Sequence, residues 1–307
     1  MPHIATKKTL IPAFLAVYFI WGSTYLGIKM VVATLPPLTL AGFRFIFAGF
    51  ILYAFLRLRG AAKPQPIHWR NALLGGTLLI LGGNGLISIA AQWIDSGLIA
   101  VLTSINPFYM TLIGWWSGQG KRPGWISLLA LGIGVFGISL LVSPEANGEH
   151  LIAGCLLSVL APGLWAAGAL VGKACAQPDS SLTFASMQMI CGGIVTLAVA
   201  LISGEAFHAN WAAASAQSWW AFAYLLVFGS WIGFSCFIYI TKHTSPILSS
   251  SYSYVNPIVA VLLGKWFLDE PLNPTRLLGM MLTLSAVGTV LWRNAKRSSA
   301  QLSVPAE

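Results

Sequence analysis

The sequence predicts an all-α polytopic membrane protein, with ten transmembrane helices arranged as two inverted repeats of five helices each. Three observations predict this fold class. The chain carries few charged residues, its apolar residues fall into ten long runs, and its second half repeats the first. Together they indicate a chain that crosses a lipid bilayer many times and contains an internal duplication.

Composition places the chain in lipid rather than in water. Of its 307 residues, 57% are hydrophobic and only 8% are charged, whereas soluble domains carry about 25% charged residues. So few charges cannot cover a water-exposed surface, and a bilayer must therefore solvate most of the exterior. The net charge of +9 would suggest nucleic-acid binding in a soluble protein. Here the basic residues fall in short loops, which argues against a nucleic-acid partner and for a role in membrane topology.

Ten segments are long and apolar enough to cross the bilayer as helices, since a spanning helix needs about 20 such residues. Their apolarity is continuous rather than alternating, which favours helices over barrel strands. Turn-forming residues fill the short connections, as in LPPL, SPEANGEH and DEPLNP. The predicted spans are residues 10–31, 37–57, 71–91, 97–117, 124–142, 150–172, 182–203, 218–240, 246–267 and 274–292.

The distribution of Lys and Arg orients these helices. If successive loops alternate sides, the side of the N-terminus receives thirteen of the 17 basic residues, and most of the acidic residues fall on the other side. Basic loops remain cytoplasmic. Both termini, including the tail 294–307, are therefore predicted to lie in the cytoplasm.

The second half of the chain repeats the first. SINPFYMTLIGWW (104–116) matches YVNPIVAVLLGKW (254–266) at a shift of 150 residues, and TLAGFRFIFAG (39–49) matches TFASMQMICGG (183–193) at a shift of 144. The predicted repeats are residues 1–143 and 149–293, with five helices each. Because five is odd, the second repeat must cross the membrane in the opposite direction, an arrangement that recurs in transporters.

Four segments resemble a known family: IWGSTYLGIK (20–29), LPPLTLAGFRFIFAG (35–49), GGNG (82–85) and SYSYVNPIVAVLLG (251–264). They are similar to the EamA-type drug/metabolite transporters, and the likeness covers nearly the whole chain. The resemblance implies a ten-helix inverted-repeat fold in the cell inner membrane and outward transport of small metabolites or drugs. We therefore predict a secondary transporter that moves an amino acid, a metabolite or an amphipathic drug by alternating access.

Polar and aromatic residues at helical spacing predict the walls of the substrate pathway. Such side chains are unfavourable in lipid unless they face a partner or a water-filled cavity. Aromatic rings suit amphipathic solutes through stacking and cation–π contacts. Hydrogen bonding between helices explains single residues equally well, so both interpretations stay open. The predicted pathway residues are Trp21, Tyr25, Lys29, Arg44, Asn84, Ser88, Gln92, Asn106, Tyr109, Trp165, Trp231, Ser235, Tyr239, Tyr252 and Asn256.

Four positions have more specific interpretations. Arg44 is the one charge well inside a predicted helix, and it either attracts an anionic substrate group or anchors the fold. Lys29 either gates the pathway or extends to the membrane surface. Pro107 and Pro257 each remove a helical hydrogen bond, which a preceding Asn can compensate, and we predict that they are hinges. A static bend that fits neighbouring helices is the alternative.

Several functions are disfavoured by what the sequence lacks. It contains no P-loop for ATP and no CxxC pair among its four cysteines. No Asp, Glu or His lies deep in a predicted span. We therefore predict no catalytic residues, no metal site and no cofactor, and a facilitator unless helix-end acids such as Asp95 or Glu270 couple protons. The alternatives are an intramembrane enzyme, such as a lipid-linked transferase, or a channel; a homodimer is left open.

Overall fold

A computed structural model of the chain describes residues 7–118, 122–141, 150–244, 251–272 and 274–302. Within these residues the chain forms helices and short connections, and a helix lies in each of the ten predicted spans. In chain order the α-helices are α1 (Lys7–Val32), α2 (Pro37–Leu58), α3 (Pro66–Gly76), α4 (Leu86–Ala90), α5 (Ser96–Thr103), α6 (Asn106–Trp116), α7 (Trp125–Leu141), α8 (Leu151–Ala174), α9 (Ser181–Ile202), α10 (Glu205–His208), α11 (Ala216–Tyr224), α12 (Gly233–His243), α13 (Tyr252–Leu268) and α14 (Pro274–Leu302).

Seven helical stretches in the described residues are long and apolar enough to cross a membrane, and two shorter apolar helices accompany them. The chain is thus an all-helical, multi-pass membrane protein. The predicted count of ten exceeds these seven, and it stays a prediction. The seven are Thr9–Val32, Pro37–Leu58, Pro66–Ala90, Ser96–Trp116, Leu151–Gly172, Ser181–Ile202 and Ala216–Ile240; the shorter two are Val255–Leu268 and Leu277–Thr289.

Two π-helical segments interrupt α-helical geometry at matching places in the two halves. Thr77–Gly85 joins α3 to α4, and Leu225–Ile232 joins α11 to α12. A shift of about 147 residues superimposes one segment on the other. π-Helical turns are rare and occur mostly at functional sites. Because each one adds a residue to a turn, side-chain spacing expected for an α-helix does not continue across it.

The fourth expected span differs from the prediction of one helix over 97–117. A turn at Ser104 and Ile105 divides it into α5 and α6. The hydroxyl of Ser104 donates to the carbonyl of Val101 at 2.6 Å, within the last turn of α5. Pro107 consequently lies in the first turn of α6, where its missing N–H costs no hydrogen bond. It does not lie inside a continuous helix, as the hinge prediction assumed.

The two halves meet along α2 and α9, the most extensive helix pair in the described part of the chain. A side-chain carbon added at Gly49 would lie 2.8 Å from the carbonyl oxygen of Ser186, and one added at Gly193 would lie 2.9 Å from that of Gly42. A shift of 144 residues converts each contact into the other. Since residue numbers rise along α2 where they fall along α9, these two matching helices run antiparallel.

Other helix pairs are also matched between the two halves. α7 packs on α14, and carbons added at Gly137 and Gly134 would contact Thr283 and Ala286 respectively, again in antiparallel order. α1 packs on α13 and α12, as its counterpart α8 packs on α6 and α4. Exchanging the halves therefore preserves these helix pairs.

Large apolar side chains cover much of the exterior. Phe50 is 63% exposed and Trp116 is 88% exposed, whereas Ile99 and Met187 are fully buried. Soluble proteins rarely expose contiguous apolar surface on this scale. An exterior of this kind fits a bilayer.

Candidate functional site

A cavity lies between the two halves, next to the middle of α1 and α8. Its volume is about 130 Å³, several times the minimum of about 10–15 Å³ that a cavity needs to hold one water molecule. The cavity is therefore sized for a small organic molecule. Nine residues singled out from the sequence line it: Trp21, Tyr25, Arg44, Asn84, Asn106, Trp165, Tyr252, Asn256 and Pro257.

Matching residues of the two repeats converge on this cavity. Trp21 and Trp165 both line it, although they lie 144 residues apart. Asn106 and Asn256, which are 150 residues apart, do so as well. Matching residues of the two halves thus face the same cavity.

Aromatic rings form one wall of the cavity. The indole of Trp21 lies 4.8 Å from the ring of Phe237 and 5.1 Å from that of Tyr252, measured between ring centroids. Its N–H donates to the carbonyl of Gly229 at 3.3 Å. The hydroxyl of Thr103 donates to that of Tyr25 at 2.9 Å, which fixes a second aromatic ring of the wall. These contacts hold the rings in place before any solute enters.

Arg44 is the one charged residue among those that line the cavity. Its side chain is only 6% exposed. The guanidinium donates from Nε to the hydroxyl of Ser230 at 2.7 Å, and its Cζ lies 4.6 Å from the ring centroid of Phe45. Gln188, the repeat counterpart, lies instead against Gly75 and Gly172. The positive charge therefore breaks the symmetry of the site.

The two Asn residues that precede prolines make different contacts. Asn256, with its amide nitrogen turned toward two carbonyls, donates to those of Tyr252 and Tyr18 at 3.2 Å each. Pro257, which lies inside α13, leaves the carbonyl of Ser253 without its helical donor. Asn256 therefore ties α13 to α1 rather than bonding the carbonyl that the proline frees. The hinge role of Pro257 stays a prediction.

Eight other predicted residues lie outside the cavity walls. Ser88 is buried, and its hydroxyl donates to the carbonyl of Asn84 at 2.9 Å. Gln92 lies in the exposed turn after α4. The ammonium of Lys29 donates to the carbonyl of Ile94 at 2.9 Å. The pathway role of seven of them and the hinge role of Pro107 stay predictions; the eight are Lys29, Ser88, Gln92, Pro107, Tyr109, Trp231, Ser235 and Tyr239.

The remaining members of this set pack between helices. The ring of Tyr109 lies beside Gly163 of α8, and the hydroxyl of Tyr239 shares a hydrogen bond with that of Thr9 at 2.8 Å. Trp231 and Ser235 are half-buried. In this segment the cavity is lined instead by Gly229 and Phe234. The π-helical segment changes the register there, so the residues that line the cavity do not follow α-helical spacing.

Sequence reasoning also missed several wall residues. Thr103, Ser104 and Ser253 line the cavity through positions one turn before the two Asn-Pro pairs. Thr103 and Ser253 are matched at the shift of 150. That match, together with their hydroxyl groups, was a usable signal.

Two carboxylates of the second half, a half-buried Glu205 at the start of α10 and a buried Glu270 after α13, bind helix N-termini of the first half. Glu205 accepts from the backbone N–H of Thr39 at 2.8 Å and from that of Leu38 at 3.2 Å, at the start of α2. Glu270 accepts from the N–H groups of Ser96 and Gly97 at 2.7 Å and 3.0 Å, at the start of α5. A carboxylate also interacts favourably with the positive end of the helix dipole. We call these two contacts the carboxylate clamps.

The clamps have no equivalent at the matching positions of the other half. Ala61 is the counterpart of Glu205, and Gly120 is that of Glu270. The hydroxyl of Thr39 also donates to Glu205 at 2.8 Å. Its counterpart Thr183 has a buried hydroxyl with no partner in the described residues. At these two matching positions the sequence of the first half therefore supplies no carboxylate.

Comparison with known proteins gives one family and several relatives. The EamA-like transporter family matches residues 8–143 and, separately, 152–292. The chain is 35% identical to the uncharacterized inner membrane transporter YedA of Escherichia coli K12, covering 91% of this chain and 90% of YedA. It is 28% identical to the uncharacterized transporter sll0355 of a Synechocystis strain, over 93% and 89% of the two chains. The double family match suggests duplicated halves.

Solved structures share the fold. One, named only "Crystal structure of protein", superimposes with a TM-score of 0.62 over 97% of this chain and all of its own. Its sequence identity is 14%, so the likeness concerns architecture alone.

Proposed function

The chain belongs to the EamA-like transporter family, and from that premise we propose that it moves a small organic solute outward across the cell inner membrane by alternating access. Family membership makes it a membrane transporter and argues against the intramembrane enzyme. A channel is the alternative that an experiment must separate. The solute, its direction and the cytoplasmic location of the termini are parts of the proposal.

We propose that the transporter consists of two inverted halves, residues 1–143 and 149–293, with five spans each and a tail at 294–307. Antiparallel packing of α2 on α9 supports this arrangement, because matching helices can run antiparallel across a bilayer only if their repeats have opposite orientation. One chain supplies both halves, so the mechanism needs no second copy.

The observation that carries the proposal is the cavity between the halves, lined by matching residues from both. In an inverted repeat, each half can adopt the conformation of the other, which moves the opening from one side of the membrane to the other. A solute bound between Trp21 and Trp165 would then face each side in turn. No soluble domain or nucleotide site is required for this exchange.

The carboxylate clamps suggest which side is closed. Under the predicted topology Glu205 and Glu270 both lie on the outer side, and each joins the second half to the start of a helix of the first. The inner side has Ala61 and Gly120 at the matching positions. We infer that the clamps hold the outer side closed and that their release accompanies solute exit.

Solute counterflow tests this proposal. Efflux of metabolites from cells with and without the chain would first identify the solute, and the purified protein would then be placed in vesicles preloaded with it. A carrier accelerates uptake of labelled solute when unlabelled solute is present on the other side. Saturable exchange of this kind is expected. Conductance without exchange acceleration would identify a channel instead.

A further inference from the structure

We propose that the cavity selects organic anions, with the guanidinium of Arg44 binding a carboxylate or another oxyanion of the solute and the aromatic walls holding its apolar body. The inference deepens the proposed function and rests on it in one respect: the cavity is taken as the solute site. It excludes amphipathic cations, a class that aromatic walls alone would have allowed.

The unpaired end of Arg44 carries the argument. Among the described residues, its one hydrogen-bond partner is Ser230, reached from Nε. The two terminal nitrogens donate to no described group, although Arg44 is only 6% exposed. A buried cation is strongly destabilising unless it is paired, and a guanidinium remains charged in proteins. An anion entering the cavity would supply the missing pair.

The position of Arg44 suits such a ligand. The hydroxyl of Ser230 contacts one edge of the guanidinium, and the ring of Phe45 lies against one of its faces. A side-chain carbon added at Gly229 would lie 3.2 Å from Nη2. Gly229 lines the cavity, so the absence of a side chain there leaves room beside the guanidinium. Two N–H groups in a fixed fork match the geometry of a carboxylate.

The rest of the cavity adds no compensating negative charge. No Asp or Glu lines it among the described residues. An ammonium would therefore meet the positive Arg44 without an acid to balance it. Asn106 makes no hydrogen bond with another described side chain, and its amide is left to orient the solute. A small acid with a compact aromatic or apolar body fits both the charge and the walls of the cavity.

The test compares three probes of similar size and different charge: 3-phenylpropionate, 3-phenylpropionamide and 3-phenylpropylamine. Binding to the purified protein in lipid nanodiscs would be measured by calorimetry. We expect the acid to bind at least tenfold more tightly than the amide, and the amine to bind more weakly than both. Equal affinities, or no binding of the acid, would overturn the proposal.

Variants separate recognition from folding. Arg44→Gln should lower the affinity for the acid to that for the amide, whereas Arg44→Lys should restore part of it; thermal unfolding reports whether each variant folds. If Arg44→Gln does not fold, Ser230→Ala is tested in its place, because it removes the hydroxyl that orients the guanidinium. It should weaken binding of the acid several-fold and leave binding of the amide probe unchanged. Unchanged acid affinity in a folded Arg44→Gln protein, or in Ser230→Ala where only that variant folds, would contradict the inference.

The outcomes also distinguish this inference from the proposed function. Acid-selective binding that depends on Arg44, without counterflow, would remove the carrier mechanism and leave the anion site. Counterflow of a cationic solute that is unaffected by Arg44→Gln would leave the carrier and remove the anion site.

Discussion

Replacing Glu270 by Gln should open the outer side of the transporter. The carboxylate of Glu270 is 9% exposed and accepts two backbone hydrogen bonds from the start of α5, at 2.7 Å and 3.0 Å. The amide of Gln has nearly the same size but no charge and only one acceptor atom. Glu270→Gln therefore weakens the clamp without creating a cavity.

The size of the effect follows from these two bonds. A hydrogen bond to a charged group contributes about 1.5–3 kcal/mol. The substitution lowers the stability of the clamped conformation by the contribution of roughly one such bond. Every 1.4 kcal/mol changes an equilibrium constant about tenfold. The ratio of outward-open to outward-closed protein should thus rise by roughly 10- to 100-fold.

Labelling of Tyr252→Cys by a membrane-impermeant thiol reagent, added outside intact cells, reports this ratio. The four native cysteines would first be replaced, and the labelling rate compared with and without Glu270→Gln. Asp269→Asn is the matched control, because Asp269 is exposed and its carboxylate pairs with Lys265 four residues earlier. An unchanged labelling rate in Glu270→Gln, or an equal rise in Asp269→Asn, would refute the clamp.

Three further predictions concern the contact between α2 and α9 and the cavity. Gly193→Val should lower the free energy of unfolding by about 1–3 kcal/mol through overpacking, whereas Gly132→Ala, with no atom within 4 Å, should not; unfolding in detergent measures both. Asn256→Leu should reduce transport at least tenfold while membrane insertion stays normal, and wild-type flux would remove its role. Solute should protect Tyr252→Cys, but not Gln92→Cys in the exposed turn, from thiol labelling; equal protection or none would place Tyr252 off the pathway.

The fold and part of the site could be predicted because duplication constrains both halves at once. Trp21 and Trp165 were identified together through one shift, and Asn106 and Asn256 through another. Residues related by a pseudo-symmetry axis approach each other when they lie close to it. The internal match thus located the cavity without knowledge of helix packing.

Local distortions limited the prediction. The π-helical segments changed which side chains face inward, so α-helical spacing selected Trp231 and Ser235 where Gly229 and Phe234 line the wall. The turn at Ser104 and Ile105 likewise has no distinctive sequence pattern. An Asn-Pro pair follows this turn, but the matching pair, Asn256 and Pro257, lies inside helix α13.

The carboxylate clamps could not be predicted from the sequence for a different reason. The sequence around an acidic residue between two long helices does not indicate whether its carboxylate is hydrated or accepts hydrogen bonds from a distant helix N-terminus. Glu205 reaches Thr39, 166 residues away, and only the tertiary structure brings them together. The sequence identifies Glu270 as a helix-end acid, but it does not predict its partners at the start of α5.

Opposite orientation of the two halves is the claim on which transport depends, and labelling of one matched pair of loop positions tests it most directly. Lys63 and Phe207 are both exposed, lie 144 residues apart and are separated by five predicted spans. Single cysteines there should react with an impermeant reagent from opposite sides of the membrane: Lys63→Cys from the cytoplasm and Phe207→Cys from outside. Reaction of both from the same side would contradict the inverted repeat and, with it, exchange of conformations between the halves.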